Sequence, residues 1–161
     1  MSNYCVATLD AGRARLMTLE RDPDPEEGGL FLEEKLQFIH PEERVGEENL
    51  FRDSHPHGNR AVAGGPLHRY DDHRRDHEEE LRRRFCRRIV EAVDDLQRRT
   101  AFGHLVVVAP PSMLGLLRPE LEKLRDIQVE TVNKDLSTLP PATLYQQLSG
   151  LGVLPPVRAS S

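Results

Sequence analysis

Six consecutive residues, Leu105-Val106-Val107-Val108-Ala109-Pro110, constrain this chain more than any other stretch. β-branched and apolar side chains follow one another there without polar alternation, which is the pattern of a strand buried on both faces. Pro110-Pro111 ends the strand. A helix can start at that point, because proline at the first helical position gives up only an amide that has no intrahelical partner. A doubly buried strand running into a proline-started helix is half of a βαβ unit, so a layered α/β core is expected.

The flanking segments extend that core. Tyr4 to Leu9 is a short apolar run, Asp10-Ala11-Gly12 a turn, and Arg13 to Leu19 alternates. This reads as a hairpin with Ala14, Leu16 and Thr18 facing one way. Prolines and glycines make Asp22 to Gly29 a loop. Leu30 to Ile39 then resumes strand character through Leu30, Leu32, Leu36 and Phe38. Three antiparallel strands at the N-terminus are expected.

From residue 40 to 73 periodicity disappears, and a long mobile loop is expected. The longest helix follows. Glu78, Glu79 and Glu80 read as its first turn, and Leu81, Phe85, Ile89, Val93 and Leu96, with Cys86 and Val90, form its apolar stripe. After a helix over roughly 111–124, Ile127 to Val132 alternates as a strand. Ser137 or Thr138 then caps a last helix starting at Pro140-Pro141. Residues 155–161 form a flexible tail. The whole is one α/β domain over residues 1–154, with its later strands adding in parallel.

Composition narrows the function classes. Apolar residues make up 37% of the chain and charged residues 30%, and the net charge is −5. That charge argues against a surface built throughout for nucleic acid but allows a local basic patch. Two scattered cysteines, Cys5 and Cys86, point to buried thiols in a reducing compartment. No signal-peptide or transmembrane run is present, so a cytoplasmic location is expected. No glycine-rich phosphate loop of standard spacing occurs, and no cofactor is expected.

Several residue groups are candidates for chemistry. Arg82, Arg83, Arg84, Arg87 and Arg88 place five guanidinium groups within two turns. They can grip an RNA backbone through phosphate contacts, or form a solvated face paired with Glu78, Glu79, Glu80 and Glu91. His73 and His77, one turn apart, can chelate zinc or nickel with Asp71 or Asp76 nearby, provided the helix extends back that far. The alternative is a histidine-rich solvated loop, which also contains His55, His57 and His68. Ser112 stands at the strand–helix turn without a nucleophile motif around it, and Ser54 beside Asp53 and His55 is a coincidence of composition. Asp10 and Asp135, each at a strand end, read either as a carboxylate pair for metal-assisted chemistry or as turn caps that accept backbone amides.

Taken collinearly, several segments resemble the bacterial host-attachment family, proteins required for attachment to host cells. They are Val6-Ala7-Thr8-Leu9-Asp10-Ala11-Gly12-Arg13-Ala14-Arg15-Leu16, the loop from Arg44 through Asn49-Leu50 and Asp53 to Gly58-Asn59-Arg60, and the Phe85 helix. The Val106-to-Pro111 run with Leu114-Gly115 and Leu117-Arg118, and Asn133-Lys134-Asp135-Leu136, complete the set. That family is similar in fold to the middle domain of archaeo-eukaryotic release factors and Pelota. The resemblance implies an RNase-H-like mixed sheet flanked by helices, a functional loop containing Gly58, Asn59, Arg60, Gly64 and Gly65, and a ribosome or RNA partner. In release factors a Gly-Gly-Gln loop before the long helix helps position the attacking water. Here Pro66 follows Gly64-Gly65, and proline supplies neither a side-chain amide nor a backbone N–H. A non-enzymatic protein is therefore expected. An adhesion or envelope-related factor and a metal-binding protein acting through the histidine loop are the alternatives.

Overall fold

The computed structural model describes residues 3–24, 26, 28–39 and 67–156, with 67–72 described by backbone alone. Five strands form one sheet: β1 (Tyr4–Leu9), β2 (Arg13–Arg21), β3 (Leu30–Ile39), β4 (His104–Ala109) and β5 (Gln128–Asn133). Among the described residues three helices accompany them: α1 (Leu67–Thr100), α2 (Pro111–Leu121) and α3 (Pro141–Gly150). The strand order is β3-β2-β1-β4-β5. β1, β2 and β3 pair antiparallel, whereas β4 adds to β1 and β5 to β4 in parallel. This is the mixed RNase-H-like sheet with an antiparallel N-terminal half.

The pleat divides the sheet's side chains between two cores. On one face Cys5, Ala7, Leu9, Ala14, Leu16, Leu105, Val107 and Ala109 pack against α1 and α2. On the other, Val6, Met17, Leu19, Leu32, Val106, Val108 and Val132 pack against Leu144, Tyr145 and Leu148 of α3 and against Leu154. β4 therefore contributes buried residues to both cores, which is why its sequence shows no polar alternation. Each fully buried aliphatic side chain contributes about 1.5–3 kcal/mol of transfer free energy, so this strand anchors both layers.

α1 starts earlier than its acidic residues suggest. Glu78, Glu79 and Glu80 lie more than two turns inside it, and the first turn holds no acid. The boundary expected near residue 77 thus moves back to Leu67. Residues 40–66, with Gly58, Asn59, Arg60, Gly64, Gly65 and Pro66, lie outside the described residues.

At about 1.5 Å per residue, α1 is about 51 Å long, well beyond what a six-residue strand can cover. Among the residues whose side chains are described, burial begins at Phe85 and continues through Cys86, Ile89, Val90, Val93 and Leu96. The helix ends at Ala101, whose φ of 55° places it in the left-handed region; its amide donates to Gln97 O at 2.7 Å.

α2 stops at Leu121, shorter than expected, and carries Pro119 within its last turn. In β3 the pairing with β2 shifts between Leu16 and Met17, so Lys35 has no partner in the register. That bulge breaks the simple alternation of Leu30 to Phe38.

Candidate functional site

The parallel strands β1, β4 and β5 end together, and open α/β sheets place their polar sites at such carboxyl ends. Asp10 follows β1 directly, and Asp135 and Ser137 lie just beyond β5. Asp10 Oδ1 accepts the backbone amides of Gly12 at 2.6 Å and Arg13 at 2.7 Å. Its Oδ2 accepts the Ser137 hydroxyl at 2.6 Å. That hydroxyl also stands 2.9 Å from Asp135 Oδ1, and the Ser137 amide approaches the same oxygen at 3.4 Å. With one proton to donate, the serine gives it to the nearer carboxylate. The two aspartates are therefore brought together across 125 residues of chain, and Asp10 caps its turn.

Ser137 does not cap α3. The residue preceding that helix is Pro140, and no side chain caps its first turn. The local sequence offered a serine close to a proline-started helix, but its hydroxyl is engaged by Asp10 and Asp135 instead.

Arg15 closes the network from β2. Its Nε donates to Glu34 Oε1 at 2.9 Å, and Nη1 donates to the carbonyls of Ser137 at 3.1 Å and Leu139 at 2.7 Å. Arg15 is only 9% exposed, so its charge depends on these partners. Thr8, in register with Arg15, is fully buried, and its Oγ1 has no partner among the described residues. Sequence reading missed Arg15 and Glu34, because an arginine alternating in a strand looks like a solvent-facing residue.

The arginine cluster is divided among several partners. Arg83 Nη2 pairs with Glu79 at 2.8 Å and Arg84 Nε with Glu80 at 3.2 Å. Arg87 reaches across to Glu120 of α2 at 3.7 Å, and the Arg88 guanidinium stacks 5.1 Å from the centre of the Phe38 ring in β3. Arg82 is half-buried. Local i, i+4 spacing points to the first two pairs; nothing in the sequence points to Glu120 or Phe38, which arrive through the fold.

His73, Asp76 and His77 all lie on α1 and are exposed. Among the described residues no three His, Cys, Asp or Glu side chains are grouped to hold a metal ion. Ser112 is an exposed residue in the first turn of α2, and Ser54 lies outside the described residues. Cys5 and Cys86 are unpaired and fully buried in the same core. Burial pushes both thiols up to about 12, with the nearby Glu120 carboxylate adding to the effect at Cys86. Neither is a nucleophile at neutral pH. Among the described residues no helix is long and apolar enough to cross a membrane.

No curated protein matches the sequence. Among solved structures the chain is similar to a Ppx/GppA phosphatase of Aquifex aeolicus, with 12% identity and a TM-score of 0.42. That likeness covers 83% of this chain and 36% of the phosphatase, so the chain spans about a third of its length. The family model described as "Protein required for attachment to host cells" matches residues 5–148. Its match takes in the sheet except Tyr4, the described helices except Ser149 and Gly150, and the Asp10–Ser137–Arg15 network, and the chain belongs to this host-attachment family.

Proposed function

We propose that the chain serves host attachment as a non-enzymatic binding factor working in the cytoplasm. The observation that carries this reading is the closed network at the carboxyl end of the sheet. Three of the four lone-pair sites of Asp10 accept Gly12 N–H, Arg13 N–H and Ser137 O–H. A carboxylate engaged in this way fastens a turn and leaves little room for a proton in transit. The unpaired, buried cysteines fit a reducing compartment.

The test uses isosteric variants. Asp10→Asn and Asp135→Asn keep an acceptor oxygen but remove the charge that acid–base or metal-assisted chemistry requires. A deletion strain complemented with either variant is expected to attach to host cells as wild type does. Loss of attachment by a variant that keeps its fold would overturn the non-enzymatic reading. Cell fractionation completes the test: recovery in the soluble fraction supports an intracellular factor, and recovery with the envelope supports an adhesion-related one.

A second reading, ribosome or RNA association, is favoured by the Arg83, Arg84 and Arg87 side chains, each more than half exposed. The i, i+4 pairs that engage Arg83 and Arg84 contribute only about 0.3–0.5 kcal/mol each, so a phosphate backbone can replace the glutamates. The resemblance to release-factor middle domains adds to it. Sedimentation on a low-salt sucrose gradient is the measurement. Cosedimentation with ribosomal particles that is lost in Arg83→Glu/Arg87→Glu supports this reading, and wild-type protein remaining at the top removes it.

A further inference from the structure

The segment of α1 that precedes the core supports itself. Between His73 and Arg84 no side chain is buried, so the hydrophobic contribution that stabilises most protein helices is missing there. Ion pairs one turn apart hold it instead: Arg74 with Glu78, Glu79 with Arg83 and Glu80 with Arg84. These pairs pass over His73 and His77, which make no hydrogen bond or ion pair among the described residues. Both rings project from one helix face, separated by about 6 Å of rise and about 40° of rotation, the spacing at which two side chains on a helix meet.

We propose that His73 and His77 form a two-imidazole chelate for a late first-row transition ion (Cu²⁺, Ni²⁺ or Zn²⁺), with water completing the coordination. Neutral imidazole is a preferred ligand for these three ions. Two ligands four residues apart converge only while the segment is helical, so the ion binds the helical state and stabilises it. The ion is thus a clamp on the part of α1 that has no core beneath it. This inference is independent of the sheet-edge network and of the reading drawn from it.

Calorimetric titration of the untagged full chain with Ni²⁺ at pH 7.5, repeated with Cu²⁺ and Zn²⁺, tests it. One equivalent is expected to bind, Cu²⁺ most tightly. His73→Ala and His77→Ala should each raise Kd at least tenfold. The double change His77→Gln/Glu78→His keeps the histidine count but moves one ring to another face, and it should weaken binding equally. Uptake should weaken as the pH is lowered, because protons compete with the ion for imidazole nitrogen. With free ion at 100 times Kd, amide exchange over residues 73–81 should slow by up to about 100-fold. Far-UV circular dichroism of each variant without metal checks that the helix is intact; His73 and His77 are exposed, and Glu78→His gives up the Arg74 pair. Unchanged affinity in His73→Ala/His77→Ala would place the ion on other histidines and overturn the proposal. So would no uptake at millimolar metal, or binding that slows no exchange in this segment.

Discussion

Removing Arg15 should destabilise the protein more than any other single polar change at the sheet's edge. Its Nη1 donates to two backbone carbonyls, Ser137 O and Leu139 O, at 3.1 and 2.7 Å. Arg15→Ala leaves both carbonyls without that donor, and hydrogen bonds from a charged group are worth about 1.5–3 kcal/mol each. The Glu34 partner is 37% exposed on its side chain, so that ion pair adds at most about 1 kcal/mol. Water entering the vacated space recovers part of the loss, and a net cost of about 3 kcal/mol is expected. For a chain of this size that corresponds to a Tm lower by about 6–12 °C. Guanidinium titration followed by circular dichroism is the assay, with the midpoint falling and the slope unchanged. Arg15→Lys, which keeps a charge but not the planar fork, should fall between the two. Amide exchange should rise first around residues 137–141, where the tether is lost. A cost below about 0.5 kcal/mol, the size of an ordinary surface change, would refute the reasoning and place Arg15 in solvent.

Ser137→Ala removes the donor to Asp10 Oδ2 and should cost about 1–2 kcal/mol by the same titration; no loss would mean that Asp10 and Ser137 are not tied. Ile89, 1% exposed beneath the sheet, should cost about 2–5 kcal/mol as Ile89→Ala, whereas Arg75→Ala on the exposed part of α1 should stay within about 0.5 kcal/mol. The cysteines give a pH signature. Their folded thiols are pushed from 9.0 up to about 12 by burial, so above pH 9 the unfolded chain releases protons that the folded one retains. The stability is therefore fully present below pH 9 and is lost as pH rises toward 12. Guanidinium midpoints at pH 8 and 10.5 should show the fall, and Cys5→Ala/Cys86→Ala should flatten it. Ellman's reagent at pH 7.5 should label neither thiol until the protein is unfolded.

The sheet and its helices were legible wherever a buried face imposed a period on nearby residues. Leu105 to Ala109 is apolar throughout because both sheet faces are covered, and the Phe85–Leu96 stripe repeats because α1 lies on one of them. The Asp10 turn was legible for the same local reason, its carboxylate meeting amides two and three residues away. The start of α1 was not legible. A helix without a buried face has no hydrophobic period, and Glu78 to Glu80 look like a first turn although their i, i+4 arginines mark a helix interior. Nor was the site's assembly. Ser137 looked like a helix cap and Arg15 like a surface residue, because their partners lie 127 and 122 residues away.

The sequence by itself determined the elements, the α/β class and the residues that bury, since each depends on side-chain chemistry repeated within a few residues. Only the tertiary structure decided which polar groups meet. Pairing β1 with β4 in parallel, and β4 with β5, sets the three strand ends side by side. That brings Asp10, Asp135 and Ser137 together with Arg15. Contacts made across an entire sheet follow from strand order, and strand order is chosen by how two cores close at once.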